Sequence, residues 1–521
     1  MENASAPVKK RKRRKKTLLK AVFSRAGLIV LMLLVQVALI VVAFGQLRDY
    51  LPHVVTLTTV FGIVIVLYLF NSRHDASTKL TWLAVILLLP VFGALLYAYT
   101  QSELGHRLLK RRLLEEKNAT LESIPQEPAV LERAAREAPE LVGLQRYVAS
   151  TGCFPAYDGC RVRYFPLGDA LRPALLEELE KAETFIFLEF FIVDKGEFWD
   201  EVLSILTRKA AAGVDVRLLY DGTNEFFNLP RSYPKQLEKL GIRCHSFSPV
   251  RPFVSTHYNY RDHRKIAVVD GRVAMTGGIN LADEHINIGS RFGHWKDSAV
   301  MVSGPAVRSF TLMFLQSWNV AERTQDYPYL DLPVSSTEEA GYVLPYADCP
   351  LDDEKVGELV YMDLLNRAKD RVYIFTPYLI LDGEMETALC FAAKRGVDVR
   401  LILPGIPDKK LAYALAKTHY PALLAAGVKI YEYCPGFVHA KSFVADGREA
   451  VVGTINLDYR SLYHHFECAL YMNGCSAVRD VEKDFLTTQA LCRRVTPESL
   501  RQLSPWMKLA GFIMKVVAPL F

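Results

Sequence analysis

The sequence predicts an α/β protein made of two similar halves, carried behind an apolar N-terminal region. Three observations predict it. The first hundred residues hold three long apolar runs without an ionised side chain. From about residue 141 short β-rich strings alternate with helical stretches, the texture of α/β units. Strings of the first half then return about 180 residues later in the second, a period too long for a solenoid.

At the N-terminus, residues 1–26 form a basic tail. Lys9, Lys10, Arg11, Lys12, Arg13, Arg14, Lys15, Lys16, Lys20 and Arg25 face a single acid, Glu2, although the whole chain carries only +6. The rest of the chain is therefore slightly acidic, which excludes a protein that coats nucleic acid with a basic surface. The tail is expected in the cytoplasm, where it also suits anionic headgroups. Half of the 521 residues are hydrophobic and 23% are charged. That excludes a disordered chain and calls for more than one folding unit.

Residues 27–100 read as a membrane domain. Its apolar runs, 27–45, 54–70 and 80–99, are each close to the ~20 residues of a spanning helix and show no polar face. A multi-pass protein of the cell membrane is expected, with Pro90 kinking the third run. Arg73, His74 and Lys79 mark the second loop as cytoplasmic. Three spans then put the body outside, yet the exit is also basic at Arg107, Lys110, Arg111 and Arg112. A re-entrant run would bring the body back to the cytoplasm. Residues 101–140, rich in Glu, Arg, Leu and Ala, read as a solvated helical connector.

The halves are expected at 141–330 and 331–500. GVDVRLL at 213–219 recurs as GVDVRLI at 396–402, and IFLEFFIVD at 186–194 is echoed by IFTPYLILD at 374–382. In 501–521, Trp506, Leu509, Phe512, Ile513, Val516 and Val517 recur at helical spacing with Lys508 and Lys515, the pattern of an interfacial amphipathic helix. The nine cysteines are scattered without a C-x-x-C pair, so neither a disulfide scaffold nor a zinc site is expected.

Each half holds one H-x-K-x-x-x-x-D: His263, Lys265 and Asp270 in the first, His439, Lys441 and Asp446 in the second. The flanks repeat in register, with Gly277 and Gly453, then Asn280 and Asn456, then an acid, Asp297 and Glu467. On a strand, residues i and i+2 share a face, so each His stands beside its Lys. An imidazole beside an ammonium makes a poor core but a good phosphate site. One His attacks phosphorus, the Lys and Asn side chains hold the oxyanions, and the second His serves the leaving group. Asp297 and Glu467 are candidates to orient the imidazoles. His464 and His465 read as ordinary strand or loop residues. Arg251 and Arg261 suit either a lipid phosphate or the surface.

These motifs resemble the phospholipase D superfamily. The strings YNYRDHRKIAVVDGRVAMTGGINLADEHIN, GFVHAKSFVADGREAVVGTINLDYRSLYHHFE and RHDASTKLTWLAVILLLPVFGALLYAY resemble the bacterial cardiolipin synthases within it. The resemblance implies two fused phospholipase D-like α/β/α halves with mixed sheets around one shared active site. It implies a phosphatidyl group passing from one phosphatidylglycerol to another through a phosphohistidine, with His263 as nucleophile and His439 as acid and base. It implies no metal or cofactor. A lipid hydrolase, a transferase to another alcohol and a non-catalytic scaffold are the competing readings.

Overall fold

The computed structural model describes residues 51–72, 74–101, 107–248, 260–289, 291–352 and 354–520. The basic tail, the run 27–45, Arg73 and Arg251 lie outside them. The chain divides into two compact units near residue 110.

In the first unit the run at 54–70 lies in a helix, Leu51–Asn71. The third run does more than kink. It breaks at Leu89–Pro90 into helices Ala76–Leu88 and Pro90–Gln101. Trp82 and Tyr97 then meet with ring centroids 5.1 Å apart, whereas one continuous helix would hold them roughly 22 Å apart. The run is therefore a helical hairpin. Gly93 permits the close approach, since a Cβ there would meet the Val85 carbonyl oxygen at 2.7 Å. Asp75 caps the hairpin's start by accepting from the Ser77 and Thr78 amides, both at 3.0 Å. Among the described residues no helix is long and apolar enough to cross a membrane.

The second unit is the α/β body. Its first sheet contains β1 (Arg161–Phe165), β2 (Phe185–Phe190), β3 (Asp215–Asp221), β4 (Arg243–Phe247), β6 (Lys265–Val269), β7 (Val273–Gly277) and β9 (Ala299–Ser303), in the order β1-β9-β7-β6-β2-β3-β4. The second contains β10 (Tyr342–Asp348), β11 (Arg371–Phe375), β12 (Asp398–Pro404), β13 (Lys429–Tyr433), β15 (Ser442–Ala445), β16 (Glu449–Gly453), β17 (His465–Asn473) and β18 (Cys492–Arg494). Its order, β10-β17-β16-β15-β11-β12-β13-β18, repeats the first with one strand added. The pairings β2–β3, β3–β4, β11–β12 and β12–β13 are parallel and the rest of each path is antiparallel, so both sheets are mixed. The repeated strings become β2 and β11, then β3 and β12, all largely buried as strands covered on both faces must be.

Two short strands of the first half stitch the halves together. β5 (Arg261–Asp262) pairs in parallel with the start of β17, and β8 (His294–Lys296) pairs in parallel with β14 (Gly436–Val438). Helix Val307–Glu322 is buried along most of its length, with Phe314 stacked on Phe187 at 4.5 Å. The segment expected as a solvated connector is partly absorbed into the body. Glu116 on helix Arg107–Ala119 is 5% exposed and accepts the Tyr327 hydroxyl proton, and Lys117 pairs with Asp352 at 2.9 Å.

Candidate active site

The stitching strands build the site. β5 leads directly into His263 and β14 into His439, while β8 leads into Asp297 and the first residues of β17 into Glu467. The His263 amide donates to the Phe466 carbonyl at 2.9 Å and the His439 amide to the Lys296 carbonyl at 2.6 Å, extending each cross-half ladder by a residue. Each histidine is thereby set beside the acid of the other half. His263 Nδ1 lies 3.0 Å from both Glu467 carboxylate oxygens, and His439 Nδ1 lies 2.7 Å from Asp297 Oδ2. A proton on each Nδ1 donates to the carboxylate and leaves Nε2 for chemistry. The sequence named all four residues but could not show that each pair crosses between halves.

His263, Lys265, His439 and Lys441 come together as expected, though the histidines sit just before β6 and β15 rather than within them. Both lysines are buried and donate to the carbonyl of their own histidine, Lys265 at 2.6 Å. Burial pushes Lys265 down to about 8 and Lys441 down to about 7, against the pull of Asp297 and Glu467. Burial and the adjacent lysine lower both imidazoles well below the usual histidine value.

Asp270 and Asp446, which complete the two motifs, lie away from the imidazoles and take a positioning place. They lie at the far ends of β6 and β15 in left-handed turns, with φ of 54° and 53°. Asp270 accepts from the amides of Glu183, Thr184 and Phe185, each at 2.8 Å. Asp446 accepts from Lys369, Asp370 and Arg371 at 2.8–2.9 Å. Each motif aspartate fixes the strand beside its histidine rather than the chemistry.

The two asparagines differ. Asn280 Oδ1 accepts the Ile192 amide at 3.0 Å and Nδ2 faces His285 Nε2 at 3.2 Å, so Asn280 is engaged with protein. Asn456 is buried with Oδ1 unpartnered. Arg261 is buried and bonds the Ser248 carbonyl at 3.0 Å, against a surface role.

Three neighbours went unnoticed in the sequence. His285 Nδ1 reaches Asp297 Oδ2 at 3.0 Å. Thr454 donates its hydroxyl to Glu467. Gly278 stands where Thr454 stands in the other half, and a Cβ there would meet Asp297 Oδ1 at 2.0 Å. The readable signal was the contrast of GGIN with GTIN. His465, expected to be ordinary, lies beside the site, its ring 5.1 Å from that of His263. His263, His465 and Glu467, and likewise His285, Asp297 and His439, bring potential metal-ligand atoms within 4.8 Å of one another. The buried ammonium groups of Lys265 and Lys441 beside them suit an anion instead.

Two imidazoles, each beside a buried lysine and an acid of the other half, make a site whose charge suits an anionic group. The model of the cardiolipin synthase, PLD-like domain matches residues 175–308 and 361–488, and the phospholipase D-nuclease N-terminal model matches 58–99. A cardiolipin synthase of Geobacillus kaustophilus is 33% identical over 91% of this chain and 95% of its own. Cardiolipin synthase 2 of Bacillus anthracis is 32% identical over 86% of this chain and 90% of its own. An uncharacterized protein of Streptococcus mutans is 53% identical over 87% of this chain and 99% of its own. In fold, the body is similar to phosphatidylserine synthase of Haemophilus influenzae (TM-score 0.53, 15% identity, 70% of this chain and 94% of that one). The chain belongs to the cardiolipin synthase branch of the phospholipase D-like proteins.

Proposed function

We propose that this chain is a membrane-bound cardiolipin synthase. The observation that carries the reading is the crossed pair of imidazoles, each oriented through Nδ1 by the other half's acid, with a buried lysine beside each. His263 Nε2 attacks phosphorus of one phosphatidylglycerol. The bond from phosphorus to the glycerol headgroup oxygen breaks, and His439 delivers its Nε2 proton to that oxygen. A second phosphatidylglycerol enters. Its hydroxyl gives its proton to His439, its oxygen attacks phosphorus, and His263 departs. Two phosphatidylglycerols become cardiolipin and glycerol. Lys265, Lys441 and Asn456 hold the phosphate oxygens through the transition state.

For the membrane, we propose that the apolar N-terminal region attaches the chain to the bilayer and that the 80–99 hairpin enters and leaves by one face. The basic tail and the body then share the cytoplasmic side, which accounts for the basic exit from Arg107 to Arg112. Helix Pro505–Val517 supports a second attachment. It exposes Trp506 (79%) and Phe512 (72%) beside Leu509, Ile513 and Val516.

Rapid quenching with phosphatidylglycerol labelled at phosphorus tests the mechanism. The label is expected on the peptide carrying His263, acid-labile and absent from His263→Ala. Turnover with label on His439 alone would overturn the assignment of nucleophile.

A further inference from the structure

The two halves repeat one topology, yet their histidine–carboxylate pairs are wired differently. Asp297 is surrounded by donors. Oδ2 receives His439 Nδ1 at 2.7 Å, His285 Nδ1 at 3.0 Å and Trp295 Nε1 at 3.4 Å, and Oδ1 receives the Ser298 amide at 2.9 Å. The protonation of His285 follows from its partners. Because Asn280 Oδ1 accepts the Ile192 amide, the other end of that amide side chain, an NH2, faces His285 Nε2. Nε2 must then accept, so the ring proton sits on Nδ1 and donates to Asp297. The chain Asn280 to His285 to Asp297 thus has one consistent direction.

Glu467 has less. His263 Nδ1 is shared between its two oxygens. The Thr454 hydroxyl has one proton and two acceptors within reach, Glu467 and the Cys468 carbonyl. The second histidine here, His465, brings Nδ1 within 3.4 Å of Glu467 Oε1 but makes no hydrogen bond there. The difference runs through several matched positions: His285, Trp295 and Asp297 of the first half stand where the second has Ser461, His465 and Glu467. Thr454 supplies a hydroxyl where Gly278 supplies none, and the space Gly278 leaves lets Asp297 come close.

We infer that His285 is a positioning residue that holds Asp297 as an ionised carboxylate against His439, making His439 the proton-bearing side of the site and His263 the attacking side. This rests on the phosphatidyl-transfer reading of the same site and adds a cause for the division of labour. The groups facing His439 are Asp297, His285 and Trp295 from the first half, Lys441 beside it, and His263 across the site; Lys265 and Glu467 face Lys441. Burial and the adjacent lysine lower both imidazoles, but Asp297 pulls His439 back up and is the element of the wiring that separates it from His263. Burial works against both carboxylates, but the two histidines and Lys441 carry Asp297 well below the usual range, whereas burial leaves Glu467 well above it.

The test is the pH dependence of carbethoxylation of His439 by diethyl pyrocarbonate, which reacts with unprotonated imidazole, read by peptide mass spectrometry on the full chain. Unmodified protein, His285→Leu and His285→Asn are compared, since Asn keeps a donor near the Nδ1 position. Without the donor, Asp297 protonates more readily and His439 loses its counter-charge. The half-labelling pH of His439 in His285→Leu is expected to fall by about 1 unit, with His285→Asn within a few tenths of the unmodified protein. The half-labelling pH of His263 should not follow. An unmoved His439 profile in His285→Leu, or equal shifts in both variants, would overturn the inference. Phosphatidylglycerol turnover measured on the same samples separates the two readings. An unmodified protein that fails to turn over would sink the transferase reading while the labelling still reports the wiring.

Discussion

At the scale of single residues, the phosphate cradle proposed above draws its charge from groups that burial has made easy to neutralise. Lys265 and Lys441 titrate near 8 and 7. Their charged forms exist below those values and are lost as pH rises. The kcat/KM for phosphatidylglycerol is therefore expected to fall as pH rises through about 7–8, and a pH–rate profile at fixed ionic strength checks it. Because the groups interact, the limb reports the cluster rather than one lysine. Asp270→Ala strands three backbone amides at the start of β2, so a loss of about 2 kcal/mol of stability is expected. Its kcat per folded molecule should fall far less than that of His263→Ala, and thermal unfolding with a matched assay separates the two. Gly278→Ala pushes on Asp297 Oδ1 and on the His439 carbonyl, so at least about a tenfold loss of kcat is expected with KM little changed.

At the scale of elements, the proposed cytoplasmic placement of the body turns on the hairpin of the third apolar run. Single cysteines introduced at exposed positions of the body in a cysteine-free background should label with an impermeant maleimide only after the cells are opened. Labelling of intact cells would place the body outside and remove the re-entrant reading. The C-terminal helix makes a separate prediction. Trp506→Glu with Phe512→Glu should weaken binding to anionic vesicles by at least about tenfold, given roughly 2 kcal/mol for each large apolar side chain withdrawn from the interface. Flotation assays read it directly. Much of this was legible in the sequence. Short β-rich strings and the internal repeat marked the strands around both motifs, and the motif flanks named every acid and histidine of the crossed pairs. The hairpin was not legible, because Pro90 announces a break but not its angle, which Gly93 and the Trp82–Tyr97 contact set. The positions of Asp270 and Asp446 were hidden for a related reason. A motif records that residues recur together, and here the last one recurs because a left-handed turn needs a carboxylate to tie down the neighbouring strand.

At the scale of the whole molecule, the site exists only where the halves meet. Each histidine takes its acid from the other half through β5–β17 or β8–β14, so neither half holds a complete pair. The most direct test of the central claim is the lipid product formed by the purified full chain from phosphatidylglycerol in vesicles, beside His263→Ala and His439→Ala. Cardiolipin with one glycerol released per cardiolipin, reduced at least about a thousandfold in both variants, is the result this account predicts. Phosphatidic acid without cardiolipin, or cardiolipin formation that survives loss of either histidine, would contradict it.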